Sequence, residues 1–296
     1  MYNPQLETFI TAADCGSFNR AAELLFITPT AVIKQINLLE NSLGVKLFGR
    51  SHRGLSLTKA GVSLYNDAKY IIQYCNDSVN RAQNAMQDDT DVIRIGASPM
   101  TPAQPIMELW PAIHERCPEI KFQIVPFDNT PENAREILAN LGQNIDIVAG
   151  VFDETMLSLR DCDGFELTRA PLCVAVSIYH PLAERTHISV EDLYGENLLM
   201  MYRNWSNYVD ALRDELLSKH PQISIEDIDL YRVEVFNRCE SGNDILLVVP
   251  QWASVHPLIK VIPVDWNHSM PYGLLHSKTP SNRVKRFLDA LREIGR

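Results

Sequence analysis

Thr30, Lys34 and Asn37 fall at helical spacing on one polar face, Thr28 stands just before them, and Arg50 and Arg53 follow within twenty residues. Hydroxyls and amides of this kind exchange hydrogen bonds with base edges, and lysine and arginine neutralise phosphates. The pattern therefore offers the chemistry of nucleic-acid contact. It requires a short exposed helix for the first group and a projecting loop for the second.

The sequence supplies both elements. Thr28 is placed to cap a helix, and Pro29 suits its first position, where the backbone N–H has no intrahelical partner. Val32, Ile36 and Leu39 then recur at i, i+4 and i+7, a buried stripe opposite Thr30, Lys34 and Asn37. Upstream, Asn3-Pro4 opens a helix with Leu6, Phe9, Ile10 and Ala13 on one face. A second begins near Ser17 and carries Ala21, Ala22, Leu25 and Phe26, leaving only Ile27 and Thr28 before the third. Two short helices across so tight a turn predict a helix-turn-helix with the later helix as reader. An ordinary three-helix packing unit fits the same periodicity.

The next segment separates these alternatives. From residue 41 to 66 there is no Asp or Glu, but Lys46, Arg50, Arg53 and Lys59 are basic, in a chain of net charge −10. Val45–Phe48 and Leu55–Leu57 alternate like short strands around Arg50-Ser-His-Arg-Gly54, which predicts a basic hairpin or wing. A long helix follows from Thr58 toward Asp88-Asp89. Its stripe of Tyr65, Ala68, Ile72, Cys75, Val79, Ala82 and Met86 alternates steps of three and four, a heptad seam suited to pairing two copies. A single amphipathic helix lying on its own domain is the alternative.

Taken together, the first 90 or so residues resemble the winged helix-turn-helix and linker of LysR-type transcriptional regulators. The matching residues are Leu6 to Ala13, Gly16-Ser-Phe18, Ala21-Ala22, Leu25, Thr28, Ala31-Val32, Gln35-Ile36, Leu39-Glu40, Leu43-Gly44, Leu47-Phe48, Arg50, Arg53 and Leu57-Thr-Lys-Ala-Gly61. The resemblance implies dimeric binding to an interrupted palindrome of double-stranded DNA beside a promoter. It puts Thr28, Thr30, Ala31, Ile33, Lys34 and Gln35 near the bases, with Arg50 and Arg53 at the wing. Pro29 stands where the family commonly has Gln, and Ile33 where it has Ser or Thr. Those departures remove two potential contacts and leave the operator sequence open.

Residues 1 to 90 carry 8 basic and 8 acidic side chains, leaving 19 and 29 in the remainder. A domain that acidic suits solubility, partner contact or small-molecule sensing rather than nucleic acid. No apolar run approaches the ~20 residues of a membrane span, and the N-terminus does not read as a signal peptide, so a cytoplasmic protein is expected. The six cysteines form neither a C-x-x-C pair nor a zinc-like set, so reduced thiols are the default. A redox pair of Cys162 and Cys173 is the alternative. No nucleophile elbow, phosphate loop, dinucleotide fingerprint or metal motif is present, so no enzyme, cofactor or metal is expected.

From Val92 onward strands and helices alternate, predicting an α/β domain of two lobes crossed twice by the chain. The expected organisation is a mainly α winged helix-turn-helix over 1–60, a linker helix over 58–89 and an effector domain over 91–296. Lobe I would take about 91–163 and 268–296, and lobe II about 164–267. LysR-type effector domains look like periplasmic binding proteins, which supports this layout and implies an inducer in the cleft. Strand ends nominate Ser98, Met100, Thr101, Asn129, Thr130, Gly150, Val151, Tyr202, Arg203, Asn204, Phe236 and Asn237 as effector contacts. Ser98 and Thr101 suit a carboxylate, with Arg203 as charge partner. Glu240-Ser-Gly-Asn-Asp244 departs from the glycine-rich stretch common there. The expected protein is a self-associating, dimeric or tetrameric regulator modulated by a small molecule, with RNA polymerase a further candidate partner. A ligand-binding protein with no DNA-dependent role is the rival reading, and it leaves the first 90 residues unexplained.

Overall fold

The computed structural model describes residues 2–51, 54–84, 91–128 and 130–294. The chain divides into two compact units, Met1–Asp88 and Asp89–Arg296, with separate hydrophobic cores.

In the first unit, α1 (Gln5–Cys15) ends at Gly16, which takes a left-handed φ of 59°. Ser17 caps α2 (Phe18–Leu24) by accepting from Arg20 N. Thr28 caps α3 (Pro29–Leu43), its hydroxyl accepting from Ala31 N at 3.2 Å. α2 and α3 cross at 107°. Val32, Ile36 and Leu39 are buried against Phe9 and Ala21, as their spacing predicts. Phe26 departs from expectation. α2 stops at Leu24, and Phe26 lies in the connecting turn at φ 54°, 95% exposed. The left-handed turn that reverses the chain swings this ring out of the apolar face.

β1 (Phe48–Ser51) and β2 (Gly54–Leu57) pair antiparallel, from Phe48↔Leu57 to Ser51↔Gly54. The first strand starts later than the alternation from Val45 predicts. The N–H groups of Leu47 and Phe48 are committed instead to Glu40 Oε1, at 2.8 and 3.3 Å. α4 (Lys59–Asn84) is capped by Thr58, whose Oγ1 accepts from Gly61 N at 3.0 Å. A Cβ at Gly61 would lie 2.1 Å from the Leu47 carbonyl oxygen, so only glycine lets α4 approach the wing. Tyr65, Ala68 and Ile72, expected in the pairing seam, pack into this unit's own core. Cys75 is half-buried, Val79 and Ala82 are exposed, and Met86 lies outside the described residues.

The second unit holds two five-stranded sheets. The first contains β3 (Val92–Ala97), β4 (Lys121–Pro126), β5 (Ile147–Val151), β6 (Cys162–Pro171) and β12 (Ser269–Ser277), in the order β4-β3-β5-β12-β6. β4, β3 and β5 run parallel, and β12 lies antiparallel to β5 and β6. α5 (Gln104–Arg116), α6 (Pro131–Ala139), α7 (Glu154–Arg160) and α10 (Asn282–Ile294) belong to this lobe, and α5 continues through Pro111. The second sheet contains β7 (Cys173–Ser177), β8 (Asn197–Met201), β9 (Ser224–Ile228), β10 (Ile245–Val248) and β11 (Ile259–Pro263), in the order β11-β7-β10-β8-β9. Its principal helices are α8 (Asn207–Lys219) and α9 (Val233–Ser241).

The expected lobe boundary needs correcting here. The chain leaves the first sheet after Pro171, not near 163, because β6 pairs with β12 from Cys162↔Ser277 to Pro171↔Ser269. Tyr231–Val235 alternates like a strand, yet α9 begins at Val233 and buries Phe236 and Cys239 at helical spacing. The edge strand is Ser224–Ile228 instead, whose Glu226 and Asp227 mask its alternation.

Candidate nucleic-acid interface and ligand cleft

The outward face of α3 is polar and accessible. Thr28, Thr30, Lys34 and Asn37 are exposed, while Ala31 and Ile33 are half-buried. Lys34 makes no ion pair among the described residues, so its charge is available to an anion. Gln35 is different: its Oε1 accepts from the Thr8 hydroxyl on α1, which directs the side chain along the helix pair. Arg53 lies outside the described residues, as does the side chain of Arg50, although Arg50 itself pairs with Leu55 in the wing.

Glu40 fixes the wing to α3, and the spacing of residues does not reveal this. It is 5% exposed and receives Lys46 Nζ at 2.6 Å besides the two backbone N–H groups. Burial alone would raise its pKa. The hydrogen bonds from Lys46, Leu47 and Phe48 outweigh burial and hold it below the usual carboxylate range. Lys46, one of the basic residues noted around the wing, is thereby paired with Glu40.

In the second unit a cavity of about 110 Å³ lies between the two sheets. Met100, Thr101, Phe127, Ile137, Val148 and Gly150 line it from the first lobe. Met201, Trp205, Leu230, Tyr231 and Trp252 line it from the second. The three aromatic residues form a row, with ring centroids 5.7 Å apart for Trp205–Tyr231 and 4.4 Å for Tyr231–Trp252. Tyr231 donates to the Leu247 carbonyl at 2.8 Å, and burial drives its pKa upward, so the phenol stays neutral.

Hydrogen bonds cross the cleft. Trp252 Nε1 donates to the Met100 carbonyl at 2.8 Å. Asp153 caps α7 by accepting from Met156 N at 2.8 Å and receives Asn207 N, at the start of α8, at 2.9 Å. Asn207 Nδ2 also reaches Thr155 Oγ1 at 3.4 Å.

Of the residues nominated by strand ends, Met100, Thr101, Gly150 and Val151 line the cavity. Ser98 sits behind Thr101, their hydroxyls 2.7 Å apart. Thr130 instead caps α6 by accepting from Asn133 N, and Asn129 lies outside the described residues. Tyr202, Arg203 and Asn204 are exposed because the loop after β8 turns outward, with Asn204 at φ 70° and its N–H bound to Asp210. Arg203 is not the cavity's cation: it pairs with Asp214 at 2.6 Å, a hydrogen bond that raises its pKa. Phe236 is wholly buried in α9, and Asn237 is exposed on the same helix.

The charged group that does line the cavity is Arg160, at the end of α7. It shares the inward face of that helix with Met156, four residues earlier, and this spacing is its one trace in the sequence. Burial pulls its pKa down, opposed by Cys162, Asp153 and Tyr202. Among the described residues no hydrogen bond or ion pair reaches its guanidinium.

The redox alternative fails on geometry. Cys162 opens β6 and Cys173 opens β7, separated by a ten-residue strand of roughly 30 Å. A disulfide needs Cα atoms within about 7 Å. Burial also raises both thiols, Cys173 to about 11. Among the described residues no group of His, Cys, Asp or Glu is arranged to hold a metal. No helix among them is long and apolar enough to cross a membrane by itself.

Comparison with known proteins places these features. Residues 4–62 match the bacterial regulatory helix-turn-helix protein model of the lysR family, and residues 87–296 match the LysR substrate binding domain. The HTH-type transcriptional regulator TtuA of Agrobacterium vitis is 30% identical over 230 residues, 74% of this chain and 71% of that protein. A probable RuBisCO transcriptional regulator of Thalassiosira pseudonana is 30% identical over 203 residues, 68% of this chain and 64% of its own. Among solved structures, CbnR, a LysR family transcriptional regulator, has a similar fold (TM-score 0.57, 19% identity, 100% of both chains). CbnR complexed with target DNA is also similar (TM-score 0.53, 20% identity, 99% of both chains).

Proposed function

The chain belongs to the LysR family of transcriptional regulators, and from that premise we propose that it binds operator DNA under the control of a small molecule held in the cleft. The observation that carries the first half is α3: a capped helix with Thr30, Lys34 and Asn37 exposed on one face and Lys34 unpaired among the described residues. The solved complex of CbnR with its target DNA supports the reading. In this account α3 enters the major groove, with Thr28, Thr30, Ala31, Ile33 and Lys34 toward the bases or adjoining phosphates. Gln35 braces α3 against α1 and reaches DNA through its amide. Arg50 and Arg53 take the backbone beside it.

Two copies bind an interrupted palindrome. The outer half of α4, with Cys75, Val79 and Ala82 left uncommitted by the domain core, is the pairing surface. The cavity beside Met100, Thr101, Gly150 and Val151 takes the effector. Its occupancy alters the hydrogen bonds that Asp153 and Trp252 make across the cleft, and so the packing of subunits on DNA. Footprinting on operators selected from genomic fragments, with and without a ligand that stabilises the protein, tests this reading. A paired-half-site footprint that shifts with ligand is expected. Protection of no DNA would refute the regulator, and an identical footprint and transcription with ligand would refute the coupling.

A further inference from the structure

The effector cavity contains an imbalance of charge. Its walls are apolar and aromatic, yet Arg160 is the one charged side chain among the described residues lining it. The residue is half-buried in the cavity wall, and its guanidinium has no ion-pair partner among those residues. Asp153 is the nearby acid, but its two oxygens already receive Met156 N and Asn207 N. A partly desolvated, unpaired cation is stabilised by an anion that enters the site.

Resting on the reading of this cleft as the effector site, we propose that the effector is a small aromatic monocarboxylate, its carboxylate on Arg160 and its ring against Trp205, Tyr231 and Trp252. Guanidinium and carboxylate match as a planar two-point pair, and the pairing is strong where water is excluded. The aromatic row supplies a flat-ring surface. A phosphate or dicarboxylate would bring a second negative charge to a cavity with a single lining cation. An amino acid would bring an ammonium, and no acidic side chain is among the described lining residues. The volume of about 110 Å³ limits the body to about one ring, since an apolar cavity of about 150 Å³ accepts benzene.

The test is calorimetric titration of the full chain with phenylacetate and with its neutral isostere phenylacetamide, for the parent protein, Arg160→Met and Trp205→Ala. Phenylacetate is expected to bind the parent at least tenfold more tightly than the amide. In Arg160→Met that preference is expected to vanish, through weaker phenylacetate binding with amide binding unchanged. The variant's unliganded melting temperature should equal or exceed the parent's, because a partly desolvated, unpaired charge has been removed. Trp205→Ala should weaken both compounds together. Equal binding of the two by the parent, or a retained carboxylate preference in Arg160→Met, would overturn the assignment of Arg160 while leaving the cleft as an effector site. Binding of neither compound would overturn the ligand class. Binding that Trp205→Ala leaves unchanged would overturn it too, and would also count against the cleft as the effector site.

Discussion

Asp153 and Asn207 join the two lobes of the effector domain: Asp153 Oδ2 accepts from Asn207 N at 2.9 Å, while its other oxygen caps α7 at Met156 N. One buried carboxylate therefore serves a helix start on each side of the cleft. Met156 N in α7 and Asn207 N at the start of α8 both find their acceptor on it, while Ser206 caps α8 at Tyr208 N.

Asp153→Ala removes the α7 cap and the acceptor of Asn207 N, while Ser206 still caps α8 at Tyr208 N. Destabilisation of about 1–3 kcal/mol is expected, from the two backbone donors left unsatisfied. Faster hydrogen exchange at Met156 and Asn207, read by mass spectrometry, is the local signature. Unchanged exchange at Asn207 would show that the bond does not hold the lobes.

A second buried carboxylate, Asp146, is 1% exposed and receives Arg94 Nε and Nη2 at 3.0 and 2.9 Å and Arg283 Nη2 at 3.1 Å. Asp146→Ala leaves two guanidinium groups without their shared partner inside the first lobe. A loss of about 3–5 kcal/mol is expected by chemical denaturation. A loss below about 1 kcal/mol would mean that water replaces the carboxylate.

Glu40 gives the DNA-binding unit an acid dependence. Its pKa is lowered in the folded state, so it contributes stability above the unfolded value near ~4.3. That contribution disappears as pH falls through the lowered folded value. Exchange protection of the Leu47 and Phe48 amides should therefore weaken on acidification below about pH 4 in the parent. In Glu40→Ala, which has no side-chain acceptor, it should be weak at every pH. Equal protection of the two proteins at neutral pH would contradict the role given to Glu40.

The legibility of these features varied with how local they are. The cap at Thr28, the stripe of Val32, Ile36 and Leu39, and the acid-free wing are all written within a few turns of chain, and the structure forms them there. The cleft depends on segments far apart in sequence. Strand ends pointed to Met100, Thr101, Gly150 and Val151, because β3 and β5 are short apolar runs. They could not distinguish Arg203 from Arg160. Arg203 meets Asp214 eleven residues on, whereas Arg160 looks like an ordinary basic end to a short helix. Trp205, Tyr231 and Trp252 converge only through tertiary packing. Likewise, Tyr231–Val235 has strand-like alternation, and the burial of Phe236 and Cys239 made it a helix.

The central claim is that α3 reads DNA, and Lys34 tests it most directly. Operator affinity of Lys34→Ala should be measured by fluorescence anisotropy at two salt concentrations, with circular dichroism confirming the parent's fold. Roughly tenfold weaker binding with a shallower salt dependence is expected from the loss of one cation at the DNA surface. Parent-like affinity and salt dependence in the folded variant would contradict the account.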